Sequence, residues 1–209
     1  MTDADLPLDN PMLVQWEFAS EERLEKRNAL YRRLIEGVNA EDVLFDAVRE
    51  VSPKRLLDVG CGAGEMAKRI QDELGAEVMA LDSSQRMVDL TRERGVEAVL
   101  GDIQRLPFAD GEFDLVVSFT GLHCFPDPAR AVVEMCRVLR LGGVLTGSAL
   151  LNDTGVRFEP MRRAGRLAGL LGPGCTSDQL RRWLAGQGVS DVTLDVSGAI
   201  AYFRGVRRA

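Results

Sequence analysis

From residue 55 to residue 150 the chain alternates between two apolar rhythms. Short, near-continuous apolar runs occupy residues 55–59, 77–81, 96–100, 113–119 and 143–150, and the first four are closed by Gly60, Asp82, Gly101 and Thr120. Runs of this length, rich in Val and Leu, predict strands buried on both faces. Between them the apolar positions recur at helical spacing over 65–74, from Ser83 or Ser84 to 93, and over 128–139, with Gly75 and Gly95 as plausible stops. Repetition of strand, helix and strand predicts an α/β domain with a mostly parallel sheet covered on both faces. Right-handed crossovers then align the strand C-termini along one edge, where such folds bind ligands. The polar and glycine residues that follow the strands, 60–64, 82, 101–102 and 120–123, all fall on that edge.

The flanks obey the same logic. Residues 1–11, with Pro7 and Pro11, read as a loose leader. Ser20 followed by Glu21 and Glu22 reads as a helix start, with Leu24, Leu30, Tyr31, Leu34 and Ile35 as its apolar stripe. A second helix is predicted over 40–51 and ends at Ser52-Pro53. Beyond residue 151, helices are expected near 156–171 and 176–187. Strands over 189–196 and 199–206 follow, joined around Ser197-Gly198. One domain over 1–209 is expected: lid helices in 1–52, a ligand-binding core in 53–150, and a second-substrate region with the last two strands in 151–209.

Composition narrows the function. The 209 residues carry a formal net charge of −6, with 45% hydrophobic and 28% charged residues, as in an ordinary soluble globular protein. Nucleic-acid binding normally needs clustered Lys and Arg, so no nucleic-acid partner is expected. The C-terminal quarter is locally basic (Arg162, Arg163, Arg166, Arg181, Arg182, Arg204, Arg207 and Arg208), which fits solvated helix faces or an anionic partner nearby. No apolar run reaches the roughly 18 residues of a membrane span, and the N-terminus lacks the pattern of a signal peptide. Cys61, Cys124, Cys136 and Cys175 are scattered and His123 is the single histidine. No metal site is expected, and reduced thiols point to the cytoplasm.

The loop after the first strand carries the chemistry. Gly60, Gly62 and Gly64 allow a tight turn and close backbone approach to a ligand. Their spacing is GxGxG, unlike the GxGxxG of a dinucleotide site. Asp82, 20 residues after Gly62 at the end of the second strand, can accept hydrogen bonds from both hydroxyls of a ribose. A ribose-bearing ligand without a pyrophosphate is therefore expected.

The segment 56–64, Leu-Leu-Asp-Val-Gly-Cys-Gly-Ala-Gly, resembles motif I of the class I S-adenosylmethionine-dependent methyltransferases, in particular their small-molecule type 11 or UbiE-like branch. The resemblance continues through Val78-Met79-Ala80-Leu81-Asp82-Ser83-Ser84 and Met87. It extends over 101–108, Phe113-Asp114-Leu115-Val116-Val117-Ser118 and 137–143, in order, across residues 54–150. It implies a Rossmann-like doubly wound sheet with a C-terminal antiparallel strand, and S-adenosyl-L-methionine as cofactor. It further implies that Gly60, Cys61, Gly62 and Gly64 lie against the methionine part of that cofactor, with Asp58 near its amino group. Asp82 would take the ribose, Ser83 and Met87 flank the adenosine, Asp102 and Ile103 hold the adenine, and Ser118, Phe119 and Thr120 line the region beside the sulfonium. Cys61 reads as a packing residue, and Leu141 stands where the family usually has proline.

Methyl transfer from a sulfonium is an in-line displacement, so positioning is the enzyme's main task. His123, on the ligand edge, has the side chain suited to act as a base near neutral pH, if the acceptor needs one; a structural role in its loop is the alternative. Trp16 and Phe18 are candidate lid residues. Phe158, Met161, Arg162, Arg166 and Leu170 form a candidate acceptor wall, with core packing an equal reading of the apolar ones. The expected acceptor is a small or lipid-like organic molecule. A non-methylating enzyme on the same scaffold, a non-catalytic binding subunit and a nicotinamide dehydrogenase stay open.

Overall fold

A computed structural model describes residues 40–154, 156–167 and 171–209. The candidate lid residues Trp16 and Phe18, Tyr31 of the first expected helix, and Leu170 of the candidate wall lie outside these. Helix α1 (Ala40–Val51) leads into β1 (Arg55–Val59), α2 (Glu65–Leu74), β2 (Glu77–Asp82), α3 (Gln85–Glu93) and β3 (Glu97–Leu100). After a loop come β4 (Phe113–Phe119), a 3-10 turn (Leu122–Cys124), α4 (Pro128–Val138) and β5 (Leu139–Leu150). The tail adds a second 3-10 turn (Val156–Phe158), α5 (Glu159–Leu167), α6 (Ser177–Gly186), β6 (Val189–Ser197) and β7 (Ile200–Arg207).

The strands form one seven-stranded sheet in the order β3-β2-β1-β4-β5-β7-β6. Strands β1 to β5 pair in parallel, and β7 runs antiparallel to both of its neighbours. The expected doubly wound sheet with a C-terminal antiparallel strand is therefore present. Alternation along β1 sends Leu56 to one face and Leu57 to the other. Leu56 packs with Phe45 and Val48 of α1, Ile70 of α2 and Val88 of α3. Leu57 packs on the opposite face with Met135 of α4 and Leu180 of α6. Strand order reverses between β1 and β4, so the loops after these strands turn to opposite faces and open a crevice between them.

Most element bounds follow the sequence pattern, and two differ. The helix expected from residue 156 begins as a 3-10 turn, with α5 starting at Glu159. Pro160, which lacks an N–H donor, fits the first turn of a helix and not its interior. Strand β5 begins at Leu139 rather than 143, because Leu139 already pairs with Phe113 before the ladder resumes at Leu115 and Val144. Among the described residues no helix is long and apolar enough to cross a membrane.

Candidate functional site

The first three residues of the loop, Gly60 to Gly62, are tied to β2. Gly60 and Cys61 both donate to the Leu81 carbonyl, at 2.8 and 3.1 Å, and the Gly62 N–H donates to Asp82 Oδ2 at 3.0 Å. The other Asp82 oxygen accepts from the Ser84 N–H at 2.9 Å. Asp82 is only 5% exposed, and its carboxylate offers about four acceptor positions in all. Gly64 has φ +78°, and a Cβ there would sit 2.6 to 2.9 Å from the Thr91 side chain, so only glycine fits. Thr91 in turn donates to the Gly62 carbonyl at 3.1 Å. A Cβ on Gly60 would come to 3.2 Å from the Phe125 ring, which brings the turn after β4 against the first loop.

Asp58, at the end of β1, is 2% exposed and its Oδ1 has no hydrogen-bond partner among the described residues. Burial, and secondarily the charge of Asp82, push its carboxyl up to about 7. Two carboxyl groups thus stand side by side at the crevice, one of them with an unmet acceptor. That arrangement suits a cationic ligand group, which would offset both burial and repulsion. The N-terminus of α2, at Gly64, has no side-chain cap, so its first N–H groups are open to an anionic group. Across the crevice, Ser118 is fully buried and its hydroxyl has no partner among the described residues. Phe119 is half-buried, and Thr120 has φ +54°. A β-branched residue is strained in that region. It is held there by an N–H bond to Ser148 Oγ at 3.0 Å and a hydroxyl bond to the Phe119 carbonyl at 2.7 Å.

The remaining expected residues divide. Asp102 Oδ1 accepts from the Gln104 N–H at 2.9 Å, with Ile103 buried beside it, and Gly101 donates to the Asp82 carbonyl at 3.0 Å. These contacts bring the second and third strand ends together. Ser83 is half-buried next to Ser84, the residue that starts α3. Met87 is fully buried against Ala63 and Leu90, so it supports the loop rather than facing a ligand. The Cys61 thiol points at the Gly62 carbonyl and Thr91 Oγ1; burial and then the charges of Asp58 and Asp82 push it well up, the opposite of an activated nucleophile. His123 is buried, and its Nδ1 accepts from the Leu150 N–H at 3.1 Å. Its carbonyl accepts from Gly172 at 2.9 Å. The histidine therefore joins the turn after β4 to the end of β5 and to the segment before α6.

Of the candidate acceptor wall, Phe158 and Met161 pack with Leu150, Leu171, Ile200 and Tyr202. Arg162 does not lie on a solvated face: it is 3% exposed and donates to Glu159 and to the Leu151 and Thr154 carbonyls. Arg166 bonds Glu159 and Asn152. Arg204 and Arg208 pair with Glu50 and Asp191, while Arg181 and Arg207 are bonded to backbone carbonyls. Four of the eight arginines of the basic C-terminal quarter are thus paired with carboxylates of the chain, two of them with Glu159. Thr91, Phe125 and Ser148 carry no sequence signal of their own, since each acts through a partner distant in sequence, whereas Ser84 is legible as a helix start.

Glycine loop, buried carboxylates and switch point together define an α/β domain built for a ribose-bearing ligand with a cationic group. Residues 57–146 match the methyltransferase-domain family. The malonyl-[acyl-carrier protein] O-methyltransferase of Pseudescherichia vulneris is 30% identical over 175 residues, which cover 79% of this chain and 68% of that one. The demethylmenaquinone methyltransferase of Renibacterium salmoninarum is 36% identical over 122 residues, 57% of this chain and 50% of the other. The chain spans about a third to a half of the length of several curated relatives it matches. In fold, it superposes on a SAM-dependent methyltransferase of Thermotoga maritima with TM-score 0.71 and 20% identity, covering 94% and 99% of the two chains. The chain belongs to the methyltransferase-domain family, and S-adenosylmethionine is the cofactor that goes with that membership.

Proposed function

We propose that the chain transfers the methyl group of S-adenosylmethionine to a small or lipid-like organic acceptor. One observation carries the reading: Asp82 is held by the N–H groups of Gly62 and Ser84 beside the unpartnered, buried Asp58. When bound, the cofactor supplies an electrophilic methyl group on a sulfonium. Asp58 would take the ammonium group, the open N-terminus of α2 the carboxylate, Asp82 the ribose hydroxyls, and Asp102 with Ile103 the adenine. Gly60, Gly62 and Gly64 allow the backbone to approach, and Met87 and Cys61 pack behind them. Ser118, Phe119 and Thr120 line the methyl-bearing side.

The chain's own residues then position the acceptor and exclude water, which is most of what a displacement with a good leaving group needs. His123 accepts at Nδ1 from the backbone, so its ring carries the proton on Nε2. That arrangement favours a role in orienting the β5 end, or in donating to the acceptor, over proton abstraction. Residues 53–150 are read as the cofactor half, and 151–209, with the Phe158–Met161 wall, as the acceptor side. Relatives named for malonyl-acyl carrier protein and demethylmenaquinone methylation support a small or lipid-like acceptor. The net charge of −6 and the internally paired arginines speak against a nucleic-acid acceptor. The four free thiols are consistent with a reducing compartment such as the cytoplasm.

The test is incubation with methyl-labelled S-adenosylmethionine and acceptors that include a quinol and a malonyl thioester. Label transfer to an acceptor together with S-adenosylhomocysteine release is the expected result. Cofactor binding with a converted but unlabelled acceptor would instead point to a non-methylating enzyme. Tight nicotinamide binding without S-adenosylmethionine binding would overturn the reading.

A further inference from the structure

Over residues 104–108 the loop between β3 and β4 pairs with no strand among the described residues, yet the Gln104, Leu106 and Phe108 carbonyls and the Leu106 N–H are all bonded. Helix α4 supplies the partners. Glu134, 3% exposed, accepts from the Leu106 N–H at 3.0 Å. Arg137 donates through Nη2 to the Leu106 carbonyl at 2.9 Å and through Nη1 to the Phe108 carbonyl at 2.9 Å. Arg130 Nε donates to the Gln104 carbonyl at 3.2 Å. Glu134 and Arg137 also pair with each other at 2.8 Å. Toward Leu106 the two side chains therefore act as an adjacent strand would, one accepting its N–H and the other donating to its C=O.

The pair is built for rigidity. Burial opposes ionisation of Glu134, but Arg137, the Leu106 N–H and Arg130 outweigh it and hold the carboxyl below its ordinary range. Arg137 has its fork fully engaged, with Nη1 also on Asp110 at 2.6 Å, a geometry that lysine cannot reproduce. Immediately before the gripped residues, the Asp102 side chain accepts from the Gln104 N–H. Ile103 and Leu106 anchor in the core on the α4 side of the sheet.

We propose that Glu134 and Arg137 are positioning residues for the cofactor: by gripping the backbone at Leu106 and Phe108, they set the place of Asp102 and Ile103 relative to Asp82. The inference rests on the reading of Asp102 and Ile103 as the adenine contacts. Neither side chain touches the ligand; both act through the loop.

The experiment is calorimetry of S-adenosylhomocysteine binding to the full chain, wild type and variants, with the melting temperature of each. Losing a charge-assisted backbone bond costs enough to weaken binding about tenfold if the loop transmits it. Arg137→Lys and Glu134→Ala should each raise Kd by about that factor, and Glu134→Gln, which keeps an oxygen for the Leu106 N–H, should recover most of it. Should Glu134→Ala fail to fold, Arg137→Lys and Glu134→Gln still decide the matter. Asp114→Asn is the control for stability alone, because Asp114 ties Lys54 and Arg55 at the opposite end of the sheet. It should lower the melting temperature and leave Kd within about twofold. Wild-type affinity in both Arg137→Lys and Glu134→Ala, or equal weakening by Asp114→Asn, would overturn the proposal. Failure of the wild-type chain to bind at all would overturn the cofactor reading itself, a result distinct from any behaviour of the variants.

Discussion

The N–H of Gly62 donates to the carboxylate of Asp82 across 3.0 Å, joining the loop after β1 to the end of β2. One side chain thus both shapes the glycine loop and presents acceptors to the ligand. Because its second oxygen holds the Ser84 N–H at the start of α3, loss of Asp82 frees two buried donors together. Asp82→Ala is expected to weaken S-adenosylhomocysteine binding by at least about tenfold and to lower stability by about 2 kcal/mol. Calorimetry and urea denaturation measure the two effects separately.

Asp58 makes ligand binding depend on pH. Its carboxyl is pushed from the ordinary 3.8 to about 7, by burial first and the Asp82 charge second. A carboxyl raised on folding contributes stability in acid that is lost as pH climbs through the folded value, so the ligand-free chain should lose this contribution between about pH 4 and 7. A ligand ammonium group reverses the sign by favouring the ionised form. Binding of S-adenosylhomocysteine should therefore tighten from pH 6 to pH 8 and release a proton near pH 6. Calorimetry in buffers of different ionisation enthalpy reads that proton, and Asp58→Asn should abolish its release.

His123 separates positioning from proton transfer. With Nδ1 accepting the Leu150 N–H, His123→Ala leaves a buried donor unmet and should cost about 1–3 kcal/mol. Asparagine offers an amide oxygen near the same position, so His123→Asn should recover much of that stability. If the ring serves only to pin β5, kcat should recover with it. A fall of 100-fold or so in His123→Asn, with stability restored, would show that the ring acts on the acceptor and does more than pin β5.

Tyr202 gives a prediction of opposite sign. Its hydroxyl is buried with no hydrogen-bond partner among the described residues, and the ring packs with Leu150, Phe158 and Ile200; burial pushes the phenol up. Tyr202→Phe removes an unsatisfied polar atom and keeps the ring, so the melting temperature should rise, by the equivalent of about 1 kcal/mol. A marked drop would mean that the hydroxyl is bonded in the folded chain.

The local signals were legible in the linear chain, and physical chemistry explains which. Strand β1 and its GxGxG loop lie within ten residues, so the apolar run and the backbone demands of glycine are written side by side. Asp82 follows at the end of the next strand, at a spacing set by a single helix. The alternation of strand and helix therefore determined the parallel sheet and its ligand edge, and the resemblance of residues 56–64 to motif I marked the loop expected to hold the donor. Even the capping of α6 by Thr176 and Gln179 is a local pattern. What depended on side chains meeting across the fold was not legible. Nothing near Arg162 announces that it is buried against the Leu151 and Thr154 carbonyls, nor near Met87 that it turns toward Ala63. The grip of Glu134 and Arg137 on Leu106 spans 28 and 31 residues. Such contacts exist only after the sheet has brought α4 beside the β3–β4 loop, because register and packing, not sequence spacing, decide which distant groups come within hydrogen-bonding reach.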